Sequence, residues 1–119
     1  MNLVNIEKYF EDKLKDTEWN VNTTINEGKK QVEVSLEIWT PAGRDVCLEF
    51  EFKDKTTKEQ ISKTIQEYYE SYDVSYETYI WLDNEGHGKN GAPYEMEKVL
   101  IDTQWVENEL AELAYIFAK

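Results

Sequence analysis

The sequence predicts an α+β fold of order α-β-β-β-α-α-α, in which a three-stranded antiparallel meander packs on helices as a two-layer sandwich within a single domain, residues 1–119. Three observations predict it. Apolar residues recur at steps of three and four at the start of the chain, at steps of two through residues 19–52, and at steps of three and four from residue 61 onward. Turn-forming clusters divide the period-two region into three runs. A chain of 119 residues with 40% hydrophobic and 13% aromatic content suffices for one modest core.

Leu3, Ile6, Phe10 and Leu14 alternate with Glu7, Glu11, Asp12 and Lys15 at helical spacing, which predicts an amphipathic helix to about Asp16. The period then drops to two. Trp19, Val21, Thr23 and Ile25 form a strand, and Asn26-Glu27-Gly28-Lys29 supplies a turn. Val32, Val34, Leu36 and Ile38 mark the buried face of a second strand, with Glu33, Ser35, Glu37 and Trp39 on its other side. After Thr40-Pro41-Ala42-Gly43 the pattern repeats as Val46, Leu48, Phe50 and Phe52 against Cys47, Glu49 and Glu51, so the outer sheet face is expected to be largely solvated.

Thr56-Thr57-Lys58-Glu59 fits a capping box from Thr56 to Glu59, opening a helix whose inner stripe is Ile61, Ile65, Tyr68 and Tyr72. A break is expected at Asp73-Val74-Ser75, where Asp73 or Ser75 suits the start of a further helix carrying Tyr76, Tyr79 and Leu82. A glycine-rich loop over residues 83–92 ends at Pro93, a favoured first helical position. Met96, Val99, Leu100, Thr103, Val106, Leu110, Leu113, Ala114 and Phe117 then give the last helix a wide apolar stripe.

Composition excludes several functions. Net charge is −12, with no Lys/Arg patch to displace counterions from phosphate, so direct binding to nucleic acid or to an anionic membrane is not expected. Cys47 is the only cysteine, which rules out an internal disulfide and fits a reducing compartment. No apolar run long enough to span a bilayer and no secretory leader pattern occur, so the expected location is the cytoplasm.

No motif carries chemistry. Gly86-His87-Gly88-Lys89 superficially suggests a phosphate loop, but Asn90 stands where a Walker A loop has Ser or Thr, and no earlier glycine has the required spacing. Counted as an EF-hand from Asp83, the segment has His87 at the fifth position and Tyr94 at the twelfth, where a bidentate Glu is needed. An ordered loop with a locally bonded His87 is the simpler reading, beside a lone anion or metal contact. Cys47 reads as an ordinary strand thiol. The chain is therefore expected to be no enzyme and to need no cofactor or metal.

Charge distribution is more informative. Residues 61–119 carry 12 acids and 4 bases against 13 and 9 in residues 1–60, and no base lies between Lys63 and Lys89. Glu67, Glu70, Asp73 and Glu77 recur at steps of three and four, a helical spacing of about 4.5–6 Å comparable with that of phosphates along a nucleic-acid strand. Such a row either mimics nucleic acid or is a solvated face that keeps the protein soluble. On the last helix Tyr94, Ile101, Trp105 and Ile116 cluster opposite the core stripe, flanked by Asp102, Glu109 and Glu112. Either another helix covers them or they are the anchors of a partner or self-association surface. Tyr68, Tyr69, Tyr72, Tyr76 and Tyr79 with Trp81 read mainly as packing between helices.

The stretch Tyr79-Ile80-Trp81-Leu82-Asp83-Asn84-Glu85-Gly86-His87-Gly88-Lys89-Asn90-Gly91-Ala92-Pro93 resembles a set of small acidic proteins of phages and integrative elements of Gram-positive bacteria, the likeness covering residues 70–119. The resemblance implies an accessory role in a mobile element and no known chemistry. The element order in a strongly acidic chain is also similar to a DNA-mimicking anti-CRISPR architecture, an analogy of fold and charge without a shared motif. The α-β-β-β-α portion resembles a double-stranded RNA-binding domain in topology, but such domains need a Lys-rich start to the final helix, and residues 56–73 offer only Lys58 and Lys63.

The function these features imply is a non-enzymatic acidic module that occupies a basic surface of a nucleic-acid-handling protein. The expected contact residues are Glu67, Glu70, Asp73, Glu77, Asp102, Trp105, Glu109 and Glu112. Two alternatives stay open: a scaffold protein that forms homodimers through the Trp105 face, and a ligand-binding or hydrolytic protein centred on Asp83, Glu85, His87 and Lys89.

Overall fold

A computed structural model describes residues 5–85 and 96–119, with the backbone alone at 83–85. Helix α1 spans Ile6–Leu14, followed by strands β1 (Asn20–Asn26), β2 (Gln31–Trp39) and β3 (Asp45–Lys53), and by helices α2 (Lys58–Ser71), α3 (Val74–Glu85) and α4 (Met96–Ala118). The strands pair antiparallel in the order β1-β2-β3, with Val21 opposite Leu36 and Leu36 opposite Leu48. This is the expected α+β architecture.

The strict alternation in β2 and β3 sends Val32, Val34, Leu36, Ile38, Leu48, Phe50 and Phe52 to one face, where all are buried. Against them pack Ile6, Phe10 and Leu14 of α1, Ile61 and Ile65 of α2, and Val106, Leu110, Leu113 and Phe117 of α4. Phe10 is the hub, its ring 4.8 Å from Phe117 and 5.8 Å from Phe52, centre to centre. A sheet apolar on one face buries it best under helices, and each helix supplies its own apolar stripe for the purpose.

Local chemistry sets the boundaries, and it corrects several expectations. Helix α1 stops at Leu14 because Thr17 donates its hydroxyl to the Leu14 carbonyl at 2.7 Å, two residues before the expected end. The capping box belongs to Thr57 and Gln60, one residue later than the Thr56 to Glu59 pairing. Gln60 N–H donates to Thr57 Oγ1 at 3.2 Å and Thr57 N–H donates to Gln60 Oε1 at 2.9 Å. The Thr56 hydroxyl instead donates to the Lys53 carbonyl at 2.6 Å, one residue ahead of the cap.

The expected break at Asp73 is present, and Asp73 makes it. Its Oδ1 accepts from Tyr76 N–H at 3.0 Å, starting α3 at Val74 with two residues between it and the end of α2. Helix α3 runs to Glu85, past the expected loop start at Asp83, since no glycine intervenes before Gly86. The remaining loop positions, with His87, Lys89, Pro93 and Tyr94, lie outside the described residues, as does Leu3.

The apolar stripe of α4 is shorter than its sequence suggests. Met96 and Leu100 are 64% and 37% exposed, because the main core begins only at Val106 and the upstream turns pack on α3 through Val99 and Thr103. There Thr78 and Thr103 share a hydroxyl–hydroxyl hydrogen bond. On β1, Ile25 points to the helical side of the sheet but lies beyond the helices and stays 58% exposed.

Candidate interaction surface

The pairing register arranges the outer sheet face as a grid. Asn20, Glu37 and Cys47 form one row across the strands, Asn22, Ser35 and Glu49 the next, and Thr24, Glu33 and Glu51 the third. Trp39 stands opposite Asp45 at one end, and Gln31 opposite Lys53 at the other. Neighbours along a strand on one face lie about 6.8 Å apart and neighbouring strands about 4.8 Å apart. Glu33, Glu37, Asp45, Glu49 and Glu51 thus share one flat face on which Lys53 is the single strand-borne base, and Glu33 faces Glu51 directly.

The thiol on the edge strand of this grid registers its neighbours. Burial raises the Cys47 pKa first, and Glu49, Asp45 and Glu37 push it further in the same direction, although the side chain is exposed. Trp39, at 53% exposure, presents an indole beside the acids. Sequence reasoning treated this face as mere solvated surface. The signal was the acid at nearly every outward position of β2 and β3.

The acids expected on the C-terminal helices do not form one row. Glu67 and Glu70 are exposed on α2, and Glu67 is 3.9 Å from Lys63 in an exposed i,i+4 pair. Asp73 and Glu77 come together at the start of α3, where partial burial and then the Asp73 charge raise the Glu77 pKa. Two tyrosines line this junction. Tyr68 and Tyr72 both have raised pKa values, by burial first and then by the Glu77 carboxylate; Cys47 adds to the effect at Tyr68, and Tyr68 and Glu107 add to it at Tyr72. The Tyr68 ring meets Phe50 of β3 edge-on at 5.7 Å between centres, so the end of α2 lies against β3.

Glu109 and Glu112 belong to a separate group with Glu18. Burial, Glu18 and Glu112, in that order, raise the Glu109 pKa. Trp105 is half-buried and packs against the core with Ile116, so the indole is largely covered by its own chain, whereas Ile101 is 60% exposed.

Asp102 is withdrawn from the surface altogether. It is 2% exposed, and its Oδ2 lies 3.2 Å from Arg44 Nε and accepts from the Thr40 hydroxyl at 2.9 Å. Arg44 is the only arginine of the chain; its guanidinium lies 5.3 Å from the centre of the Trp81 ring. The Arg44 amide donates to Thr40 Oγ1 at 2.9 Å, so the β2–β3 turn, α3 and α4 meet at this ion pair. A helical projection places Asp102 beside the outward cluster because it cannot show a partner 58 positions earlier in the chain.

Of the loop residues in the hydrolytic alternative, Asp83 and Glu85 fall on α3 with the backbone alone described, and His87 and Lys89 lie outside the described residues. Among the described residues no group of three or more His, Cys, Asp or Glu is arranged to hold a metal, and no helix is long and apolar enough to cross a membrane. Comparisons with protein-family models, with curated proteins and with solved structures find no match to this chain.

Proposed function

We propose that this chain is a non-enzymatic, acidic protein-binding module, an accessory of a mobile element, that occupies a basic surface on a nucleic-acid-handling protein. The observation that carries this reading is the carboxylate grid on the outer sheet face. Folding places Glu33 against Glu51 on adjacent strands, an arrangement that costs stability and that a merely soluble surface does not need. The spacings of about 5–7 Å within the grid suit Lys and Arg side chains that otherwise grip successive phosphates. Asp73 and Glu77 at the α2–α3 junction extend the acidic surface past the β3 edge, and Trp39 supplies an apolar contact within it.

A nucleophilic role for Cys47 is disfavoured by its raised pKa, to which partial burial contributes first and Glu49, Asp45 and Glu37 add. The test is capture of partners from a host lysate on the immobilised chain, beside a variant carrying Glu33→Lys, Glu49→Lys and Glu51→Lys. Partners are expected to be nucleic-acid-handling proteins, to be displaced by added oligonucleotide, to elute as salt rises from about 0.05 to 0.2 M, and to be lost from the variant. Retention by the variant, or indifference to salt, refutes the reading.

A further inference from the structure

The two edges of the sheet differ in a way that the acidic composition makes informative. β3, at one edge, carries Asp45, Glu49, Glu51 and Lys53 on its outer face. β1, at the other, reads Asn-Val-Asn-Thr-Thr-Ile-Asn and, among the described residues, is the only helix or strand without a charged residue. It also lacks proline. Among the described residues, the backbone of Asn20–Asn26 makes no backbone hydrogen bond outside its ladder with β2. An uncharged edge strand left open by the described residues is a template for another strand, and folds that stay single usually guard such edges with charge, proline or cover.

From this edge we infer that a second copy of the chain pairs with β1, antiparallel and about a two-fold axis through Thr23, to make a continuous six-stranded sheet. The strand is self-complementary in that register. Val21 of one copy stands opposite Ile25 of the other, Asn22 opposite Thr24 and Asn20 opposite Asn26, and each pair shares a face of the sheet. The half-buried Val21 and the exposed Ile25 thereby cover one another on the helical side, which accounts for an aliphatic residue left bare at the end of β1.

Electrostatics selects this edge over the other. Pairing through β1 keeps the nearest outer-face carboxylates, Glu33 and Glu37 of β2, three strand spacings from their counterparts, about 14 Å, which exceeds a Debye length of about 8 Å at physiological salt. Pairing through β3 about its middle residue would set Glu49 directly against Glu49 at roughly 5 Å. The β1 interface adds about six to eight ladder hydrogen bonds over a small area, which makes a reversible, concentration-dependent dimer. The dimer joins two carboxylate grids into one surface. Its existence does not depend on the function proposed above, and its salt dependence has the opposite sign: salt screens repulsion between two chains of charge −12 and strengthens the dimer, whereas it weakens binding to a basic partner.

Sedimentation equilibrium of the full chain tests the inference. The association constant is expected to rise at least tenfold, as an order of magnitude, between about 0.05 and 0.5 M salt. Thr23→Lys and Thr23→Glu, each folded by circular dichroism, are expected to remain monomeric alone and to form a heterodimer when mixed, because position 23 faces itself. In a Cys47→Ser background, Thr23→Cys is expected to cross-link under mild oxidation and Asn22→Cys to cross-link far less, since only position 23 brings two Cα atoms within the roughly 4.4–6.8 Å that a disulfide spans. A chain monomeric at every loading and both salts, a dimer that Thr23→Lys leaves intact, or equal cross-linking at 22 and 23 overturns the inference. Loss of salt-sensitive partner capture with the dimer intact would overturn only the function proposed above.

Discussion

Replacing Asp102 by Ala removes the buried carboxylate that holds the β2–β3 turn to α4. The partner left behind is Arg44, whose side chain is only 8% exposed and cannot reach water without disrupting its packing against Trp81. Removing the carboxylate from a buried pair costs up to about 3–5 kcal/mol, because the guanidinium loses the charge that faces its Nε while staying out of water. The Thr40 hydroxyl loses its acceptor at the same time. Set against a total stability of about 5–15 kcal/mol, this is a fifth or more, and at about 4 °C per kcal/mol it lowers the melting temperature by about 12–20 °C. Urea unfolding followed by circular dichroism and tryptophan fluorescence measures the loss. The double variant Arg44→Met with Asp102→Leu, which replaces the pair by apolar groups, is expected to recover most of it. A loss below about 1 kcal/mol for Asp102→Ala, or a double variant no more stable than the single, would refute the claim that the buried Asp102 carboxylate anchors the β2–β3 turn to α4.

Four further outcomes follow from the surface. Glu51→Lys turns the repulsion with Glu33 into attraction and is expected to stabilise the fold by about 0.5–1 kcal/mol in denaturant titrations while weakening partner capture several-fold. Glu77 and Glu109 have folded pKa values raised above their ordinary 4.5, so their contribution is fully present below that value and is lost as pH rises through the folded pKa; stability should rise on mild acidification from neutral pH, and Glu77→Gln with Glu109→Gln should flatten that rise. Cys47, exposed yet held protonated, should react with iodoacetamide at pH 7 more slowly than free cysteine, and Glu49→Gln should speed it. Asp73→Ala removes the cap of α3 and should cost about 0.5–2 kcal/mol in thermal unfolding, with Asp73→Asn costing less.

Patterns carried by neighbours along the chain were legible in the sequence. Alternation placed every buried residue of β2 and β3, and Asp73 announced the break between α2 and α3, because strand faces and helix caps are decided within a few residues. The capping box missed by one position, since two adjacent threonines look alike until Lys53 claims the hydroxyl of Thr56. Features that depend on distant partners were not legible. Asp102 looked like a surface acid because its spacing records the angle about α4 and nothing of Arg44, and Trp105 looked like an anchor because the core that covers it comes from elsewhere in the fold. A lone arginine after Gly43 in a chain otherwise supplied with lysine was a usable hint of a fixed, shaped contact. The acidic grid needed the register of three strands, although the alternating glutamates of β2 and β3 already implied most of it.

The closed turn between β2 and β3 also decides where the chain can be opened for engineering. Gly43, at φ +86°, donates its N–H to the Thr40 carbonyl at 2.8 Å, and Thr40 N–H donates to the Arg44 carbonyl at 2.8 Å, so residues 40–44 form a tight knot directly above the Arg44–Asp102 pair. A reporter peptide spliced into 41–43 would lever Arg44 out of its seat and unseat two helices with it. The exposed tip at Gly28 and Lys29 has no such tether to the helical layer among the described residues and is the natural place for a fused fluorophore or affinity handle.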